Sequence, residues 1–298
     1  MFIRPTWRDY VFNTFNIFIL LAFAFICVYP LWFIMINSFS SANAIAKGVY
    51  IIPMEPTLAT YQQLARIPAI LNSAFISGAR TVLGTALCLA FSSLLGYLVS
   101  NKDLPYRKFI YRYFIFTMYF SAGFIPWYML MKNLGLKNNF LLYILPGAIS
   151  PFFLILIKTY IESLPASMEE AAKIDGAGVI TCFYKIIMPL SIPILACCAV
   201  FCAVWQWNSW ADNLYLVSDK RLQTLQYLLY LNLQANMASA MNASSGGSAA
   251  VAAGMAAKVT PLSLKLTFTF VTVLPILCVY PFMQKYFVKG IMMGAVKG

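Results

Sequence analysis

Residues 15–37 read FNIFILLAFAFICVYPLWFIMIN, an apolar run without a charged side chain. A helix needs about 20 such residues to cross the hydrocarbon core of a bilayer. The apolar region of a signal peptide is shorter, about 7–15 residues, so we expect this run to remain in the protein as a membrane span. The segment before it, residues 1–14, carries Arg4 and Arg8 and is predicted to lie in the cytoplasm.

Five more apolar stretches of similar length follow, at residues 70–99, 109–131, 139–161, 188–211 and 262–284. Of the 298 residues, 61% are hydrophobic and 10% are charged, against about 45–50% and about 25% in soluble domains. Lipid offers no hydrogen-bond partners to backbone polar groups. A chain that crosses it therefore forms helices, which satisfy these groups internally. The sequence therefore predicts an all-α integral membrane protein, in which residues 15–298 form one domain of six transmembrane helices.

The basic residues set the predicted orientation. The chain has 21 Lys and Arg against 9 Asp and Glu, a net charge of +12. In a soluble protein this excess would indicate nucleic acid, but here most of the basic residues lie between the predicted spans. With the N-terminus inside, more of them fall on the inner side than on the outer side. We therefore predict that both termini are cytoplasmic, and we expect no nucleic-acid partner.

Several kinds of chemistry are excluded by the residues that the chain lacks. It has no His, which removes His-based triads, His metal sites and His proton relays. Its seven Cys residues form no C-x-x-C pair, and we interpret them as small apolar side chains. The sequence contains no phosphate-binding P-loop. We therefore predict no catalytic residue, no metal site and no nucleotide bound by this chain.

Two connections between the predicted spans are long, an inner loop at residues 162–187 and an outer loop at residues 212–261. The outer loop contains a run of small residues at 240–248, which we expect to be mobile. The inner loop is rich in Ala and charged residues, which predicts short amphipathic helices at the membrane surface.

The inner loop also carries signals for the two ends of a helix. Ser167 and Glu170 have the spacing of a capping box at a helix start. Asp175-Gly176 indicates the helix end, because Gly takes the left-handed conformation of a C-terminal cap. Between these ends, small Ala side chains leave one face thin enough to enter a groove on a partner.

The same loop follows a long, gapped residue pattern. It runs Glu170-Ala171-Ala172, then Gly176 after three residues, Ile186 after nine more, and Met188-Pro189 after one more. This pattern resembles the EAA motif of the membrane subunits of binding-protein-dependent ABC importers, which also lies in the inner loop before the fifth span. Met188 stands where the family usually has Leu, a change that conserves volume.

The resemblance covers nearly the whole chain and is to the sugar-importing branch of that family. Within the branch the chain is similar to the smaller, maltose-transporter-type permease, and most like the subgroup linked to complex oligosaccharides, including uronate-containing ones. The segments that carry this wider resemblance are residues 56–58 with Tyr61, Asn72-Ser73, Gly96-Tyr97, residues 284–290 and residues 294–298.

This resemblance implies the type I permease fold of ABC importers, in a multi-pass protein of a bacterial cell membrane. It also implies a complex with a second related permease, two copies of a cytoplasmic ABC ATPase and an extracellular sugar-binding protein. ATP and Mg would be bound by the ATPase, so this chain would transport an oligosaccharide and catalyse nothing itself. The residues implied to couple to the ATPase are Glu169, Glu170, Ala171, Ala172, Asp175 and Gly176.

Sugar sites combine aromatic faces with amide groups, and a segment near the outer end of the fifth predicted span supplies both. The alternative is an aromatic belt at the membrane interface, where Trp and Tyr are common. Further candidates lie in the second and third spans. The candidate substrate-pathway residues are Trp205, Trp207, Asn208, Trp210 and Asn213, together with Asn72, Tyr119 and Trp127.

Arg80 is a separate candidate because it lies about ten residues into the second predicted span. At about 1.5 Å per residue this is roughly 15 Å deep, near the middle of a ~30 Å core. A charge at that depth is a functional hypothesis by default. Arg80 could contact an anionic substrate, or it could pair with a helix carbonyl or with an acid of the partner permease.

Other functions remain open alongside the sugar importer. ABC permeases for non-sugar solutes share the loop motif. A secondary transporter or channel would need an acidic proton relay, and the spans contain no central Asp or Glu. A membrane enzyme would need His or a buried pair of carboxylates, neither of which is visible in the sequence. Co-purification with an ATPase separates the importer from the last two.

Overall fold

The computed structural model describes residues 6–244 and 259–295, with side chains described for 6–235 and 259–281. Their regular structure is helical, as the composition predicts. Short 3-10 turns lie at Phe140–Tyr143 and Lys220–Leu222. The helices in chain order are α1 (Trp7–Ser38), α2 (Ala42–Lys47), α3 (Ala59–Ala65), α4 (Pro68–Ser100), α5 (Arg107–Tyr119), α6 (Phe124–Asn133), α7 (Pro151–Glu162), α8 (Ala166–Ile174), α9 (Val179–Leu190), α10 (Ile192–Asn208), α11 (Ala211–Leu216), α12 (Leu225–Ser244) and α13 (Pro261–Ala295).

Three of the described helices are long and apolar enough to cross a membrane: α1, α4 and the Pro261–Pro281 part of α13. If each of two bent helix pairs is counted as one span, the number of candidate spans rises from three to five. The first pair, α5 with α6, bends by 114° where Gly123 has a φ of +85°. The second, α9 with α10, bends by 78° at Ser191, next to two Pro residues that cannot donate to a helical hydrogen bond.

The fourth predicted stretch, residues 139–161, is not one continuous helix. After Phe140–Tyr143, helix α7 begins only at Pro151, where Ser150 Oγ accepts a hydrogen bond from the Phe153 N–H at 3.4 Å. Pro and Gly at positions 146 and 147 interrupt the helical pattern between them. The 12 residues of α7 extend about 18 Å, less than a bilayer core.

The two long loops contain helices of their own. The inner loop, residues 162–187, contains α8 and the first part of α9, which confirms the expected short helices. The outer loop, residues 212–261, contains most of α11 and all of α12. The small-residue run at 240–248 overlaps the end of α12 and continues into residues that lie outside the described ones.

The chain divides into two units, one comprising the residues up to Ile67 with Leu231–Val273, the other comprising Pro68–Tyr230 with the residues from Leu274 onward. In the first unit, the segment after α1 folds back onto the end of α1. Buried Asn37 Nδ2 donates to the Val49 carbonyl at 3.0 Å, and the hydroxyls of Ser38 and Tyr61 are 2.7 Å apart. The most apolar 18-residue stretch of α1 contains no residue that is buried within the chain. Its side chains therefore require an apolar surrounding.

In the second unit, α4 is the central helix and packs along α7 and α10. Gly96 permits the close approach to α7, because a Cβ there would lie 3.2 Å from the Leu154 carbonyl oxygen. An apolar cluster surrounds this crossing and includes Tyr97, Ile157, Ile161, Phe183, Ile187 and Cys198. All of the candidate site residues lie in this unit.

Candidate functional site

The helix α8, which we call the loop helix, ends as the sequence predicts. Gly176 has a φ of +79°, and its N–H donates to the Lys173 carbonyl at 3.1 Å. The Ala177 N–H donates to the Ala172 carbonyl at 2.9 Å. These two hydrogen bonds form a Schellman cap, in which a left-handed residue satisfies carbonyls that the helix leaves open.

The start of the loop helix differs from the prediction. The helix begins at Ala166 after Pro165, and no side chain caps it. Ser167 therefore lies inside the first turn, so the predicted capping box with Glu170 is wrong. The extended backbone of Pro165, with φ −61° and ψ 123°, supplies the non-helical geometry that an N-cap requires.

The loop helix presents one open face. Of the predicted coupling residues, Glu170, Ala171, Asp175 and Gly176 are exposed, and Ala172 is buried against the unit. The apolar side chains of Met168 and Ile174 are also exposed, Ile174 at 86%. Sequence reasoning missed Ile174, although an apolar residue in the last turn of a polar surface helix is a visible signal. The open face thus combines apolar and acidic groups.

Glu169 is the polar link between the loop helix and α4. The Tyr97 hydroxyl donates to Glu169 Oε1 at 3.3 Å, and Lys173 Nζ pairs with the same oxygen at 3.2 Å. The hydrogen bond and the charge of Glu169 raise the pKa of Lys173 above its ordinary value. Local sequence pattern does not indicate that Tyr97 and Glu169 meet, because 72 positions separate them.

A cleft of about 380 Å³ lies beside the loop helix. Its apolar lining includes Ile161, Leu164, Ile187 and Leu190, and its polar lining comes from the loop helix and residues 100–103. At one edge Glu162 pairs with Arg107, and with Lys158 at 2.8 Å. The pair with Arg107 connects the end of α7 to the start of α5, while the pair with Lys158 lies within α7.

Arg80 lies inside the unit, with 1% of its surface exposed. Its Nε donates to Gln206 Oε1 at 3.0 Å, and its Nη1 donates to the Ser209 carbonyl and to Asp212 Oδ1, both at 3.2 Å. Its Nη2 pairs with Asp212 Oδ2, and the guanidinium lies 4.7 Å from the Tyr143 ring centroid. We call these five residues the Arg80 cluster.

Arg80 has polar partners within its own chain. It pairs with the Ser209 carbonyl at the end of α10 and with the carboxylate of Asp212. A bidentate carboxylate neutralises the guanidinium charge within the protein. The arrangement holds the last residues of α10 and the first turn of α11 against α4.

Gly84 makes room for Gln206 in this cluster. A Cβ at Gly84 would collide with the Gln206 amide nitrogen and lie 2.7 Å from Gln206 Cδ. Gln206 itself is buried and held by Arg80. A side chain at position 84 would therefore displace Gln206.

The aromatic segment 205–210 is divided between exposed and packed residues. Trp205 is 58% exposed and Asn208 is exposed as well, while Trp207 is partly buried. The Trp210 ring stacks on Tyr230 with centroids 4.2 Å apart. Trp205 and Asn208 are one helical turn apart on α10 and hence lie on the same face.

The remaining candidates lie in different surroundings. Asn213 is fully buried and accepts a hydrogen bond from the Thr224 N–H at 2.8 Å. Asn72 Nδ2 donates to the Arg221 carbonyl at 2.7 Å. Tyr119 is 82% exposed at the end of α5, and Trp127 packs against an apolar cluster of the unit. Among the residues that the structure describes, no group of three or more Cys, Asp or Glu could hold a metal ion.

No protein-family model matches the chain. Over 282 residues, however, it is 35% identical to the polygalacturonan/rhamnogalacturonan transport system permease protein YtcP of Bacillus subtilis (strain 168), covering 94% of this chain and 96% of that protein. The chain belongs to the family of carbohydrate ABC transporter permeases. This permease is also 37% identical over 290 residues to protein LplC of the same organism, covering 97% and 95% of the two chains.

A solved structure extends the similarity of this permease to the fold. It is the crystal structure of a bacterial ABC transporter involved in the import of the acidic polysaccharide alginate. The TM-score is 0.84 at 28% sequence identity, and the match covers 96% of this permease and 100% of that chain. The permease is therefore a multi-pass protein of the cell membrane with the fold of an ABC importer subunit.

Proposed function

We propose that this permease imports acidic oligosaccharides as a membrane subunit of an ATP-driven, binding-protein-dependent transporter. The observation that carries the proposal is its full-length similarity to a permease named for polygalacturonan/rhamnogalacturonan transport. The alginate transporter gives independent support, since alginate is also an acidic polysaccharide. The two substrates share sugar units that carry carboxylates.

The proposed topology has six spans with both termini in the cytoplasm. Residues 1–14 and the loop 162–187 would lie inside, and the loop 212–261 outside. The distribution of Lys and Arg supports this orientation. The fourth span would consist of Phe140–Tyr143 followed by α7, because non-helical backbone is tolerated at membrane depth where protein surrounds it.

The proposed complex contains a second related permease, two ABC ATPase subunits and an external sugar-binding protein. ATP and Mg bind the ATPase, and this chain holds no cofactor. The open face of the loop helix docks on the ATPase through Glu170, Ala171 and the exposed Met168 and Ile174. Closure of the ATPase dimer then moves the loop helix and shifts the spans between inward-open and outward-open states.

In this proposal, Trp205 and Asn208 contact the sugar, because both are exposed on one face of α10. Their types suit the task, since an aromatic face packs on sugar C–H groups and an amide bonds hydroxyls. Arg80 and Asn213 position this segment from inside the unit without touching the sugar. Because Asp212 neutralises Arg80, the substrate carboxylates are met by the binding protein or the second permease.

The test uses the complete complex reconstituted in lipid. ATP hydrolysis is measured with binding protein present, while uronate oligosaccharides and neutral oligosaccharides are added separately. We expect stimulation by the uronate oligosaccharides. Stimulation by neutral sugars alone would overturn the acidic substrate, and stimulation only by a peptide or another solute would overturn the sugar. Uptake that proceeds without ATP would instead indicate a secondary transporter.

A further inference from the structure

Tyr97 connects α4 to both helices of the inner loop. Its ring is 1% exposed and stacks on Phe183 of α9, with centroids 5.4 Å apart and planes 27° apart. Its hydroxyl donates to Glu169 of the loop helix at 3.3 Å. The Tyr97 side chain therefore joins three helices: α4, α9 and the loop helix. It lies near the C-terminal end of α4, the central helix of the unit.

The α4 end of this connection is held firmly. Gly96 brings α4 so close to α7 that a Cβ would lie 3.3 Å from the Lys158 backbone nitrogen. Ile157 and Ile161 of α7 belong to the apolar cluster that encloses the Tyr97 ring. A packed interior is only slightly compressible, so a displacement of Tyr97 is transmitted to α4 rather than absorbed.

The loop-helix end of the connection is adjustable. One carboxylate oxygen of Glu169 accepts the hydrogen bond from Tyr97 and also pairs with Lys173. The Glu169 side chain is 25% exposed. The carboxylate can therefore exchange the phenol for water or Lys173 without leaving a buried charge unpaired. The phenol in turn keeps its ring stack on Phe183 when the hydrogen bond breaks.

In the middle part of α4, Arg80 contacts Gln206, Ser209 and Asp212, next to the residues that we propose to meet the sugar. Arg80 and Tyr97 are 17 positions apart on one helix, which corresponds to about 25 Å. Arg80 holds the end of α10 and the start of α11. A movement passed to Tyr97 is thereby carried along a single helix to the surroundings of Trp205 and Asn208.

We infer that Tyr97 is a positioning residue for energy coupling, which transmits movement of the loop helix to α4 through Glu169 and Phe183. The inference rests on the proposed function, because the loop helix moves only if an ATPase docks on it. It adds a specific route between the docking surface and the membrane spans.

The test compares Tyr97→Phe, which removes the hydroxyl and retains the ring stack, with Tyr160→Phe. Tyr160 is a matched control because its hydroxyl also donates at 3.3 Å, but to the Leu190 backbone carbonyl and not to the loop helix. The readout is sugar transported per ATP hydrolysed in the reconstituted complex. We expect Tyr97→Phe to lower this ratio about three- to tenfold, the range of one typical intramolecular hydrogen bond, while Tyr160→Phe leaves it unchanged.

Glu169→Ala, which removes the accepting oxygen, completes the test as a double-mutant cycle. If the two residues act through one hydrogen bond, the double variant loses no more coupling than Glu169→Ala alone. The inference is overturned if Tyr97→Phe transports as many sugars per ATP as the wild type, if Tyr160→Phe loses as much, or if the two losses multiply. A purely structural role would instead lower assembly and ATP hydrolysis together with transport.

A second measurement needs no sugar, so it separates this inference from the proposed substrate. Amide hydrogen exchange is followed in α4 before and after a nonhydrolysable ATP analogue closes the ATPase. We expect closure to change exchange near Tyr97 in the wild type and to change it less in Tyr97→Phe. Equal changes in both proteins would contradict the inference even if the complex imports uronates. If no sugar stimulates the wild type, the proposed function fails and this result still stands.

Discussion

Two positions on α4, Arg80 in the middle part of the helix and Tyr97 near its C-terminal end, are held by different chemistry. Arg80, itself buried, makes several hydrogen bonds to a partly buried carboxylate, an amide and a carbonyl, while Tyr97 makes a single 3.3 Å hydrogen bond to the half-buried Glu169. Breaking the first leaves a charge unpaired in the interior, which is costly. Breaking the hydrogen bond between Tyr97 and Glu169 leaves a neutral phenol and a carboxylate that water can reach. The contacts of Arg80 are therefore built to stay fixed, and the hydrogen bond from Tyr97 to Glu169 is built to be released.

The largest expected effect comes from breaking the contacts of Arg80. Asp212→Asn leaves Arg80 buried without its counter-charge, and removal of one partner from a buried pair costs about 3–5 kcal/mol of stability. Thermal unfolding of the purified complex in detergent measures the loss. The control is Asp103→Asn, since Asp103 is an exposed acid. Equal unfolding temperatures for the two variants would contradict the role assigned to the Arg80 cluster.

A smaller loss is expected from crowding the same cluster without removing a charge. Gly84→Ala forces Gln206 away from Arg80, and overpacking of this kind costs about 1–3 kcal/mol. Gly78→Ala is the matched control, because it lies in the same helix and a Cβ there meets nothing within 4 Å. Replacing a helical Gly by Ala favours the helix, so this control is expected to be neutral or slightly stabilising. A Gly84→Ala protein as stable as Gly78→Ala would show that Gln206 is free to move.

The smallest effect on stability is expected at the end of the loop helix. Gly176→Ala places a side chain at a φ of +79°, which costs about 1–2 kcal/mol and loosens the Schellman cap. We expect ATPase binding to the permease pair to weaken about tenfold, because the docking helix frays. Gly176→Asn is the comparison, since Asn tolerates this conformation. Titration of the ATPase measures both affinities, and equal weakening by Ala and Asn would mean that side-chain size rather than backbone conformation matters.

The sequence predicted the features that depend on local pattern. The apolar runs gave the long helices, and Gly after Asp175 gave the end of the loop helix. The start at Ala166 was missed because Pro165 replaces a side-chain cap with backbone geometry. The break near positions 146 and 147 was also missed, since hydrophobicity alone does not distinguish a helix from a folded apolar segment.

The pairs that hold the site together were beyond sequence reasoning. The depth of Arg80 in its predicted span marks it as unusual, but its partner Asp212 lies 132 positions away, beyond the reach of local pattern. Tyr97 and Gly96 were noticed only as part of a resemblance. Their roles follow from the crossing of α4 with α7, which depends on tertiary packing and not on local pattern.

The central claim is that this permease imports acidic oligosaccharides, and uptake into proteoliposomes tests it most directly. Labelled oligogalacturonate and neutral oligogalactose of the same length are offered to the reconstituted complex with binding protein outside and ATP inside. The two sugars differ only in the carboxylates. We expect ATP-dependent accumulation of oligogalacturonate in clear excess over the neutral sugar. Accumulation of the neutral sugar with no uptake of oligogalacturonate would contradict the account.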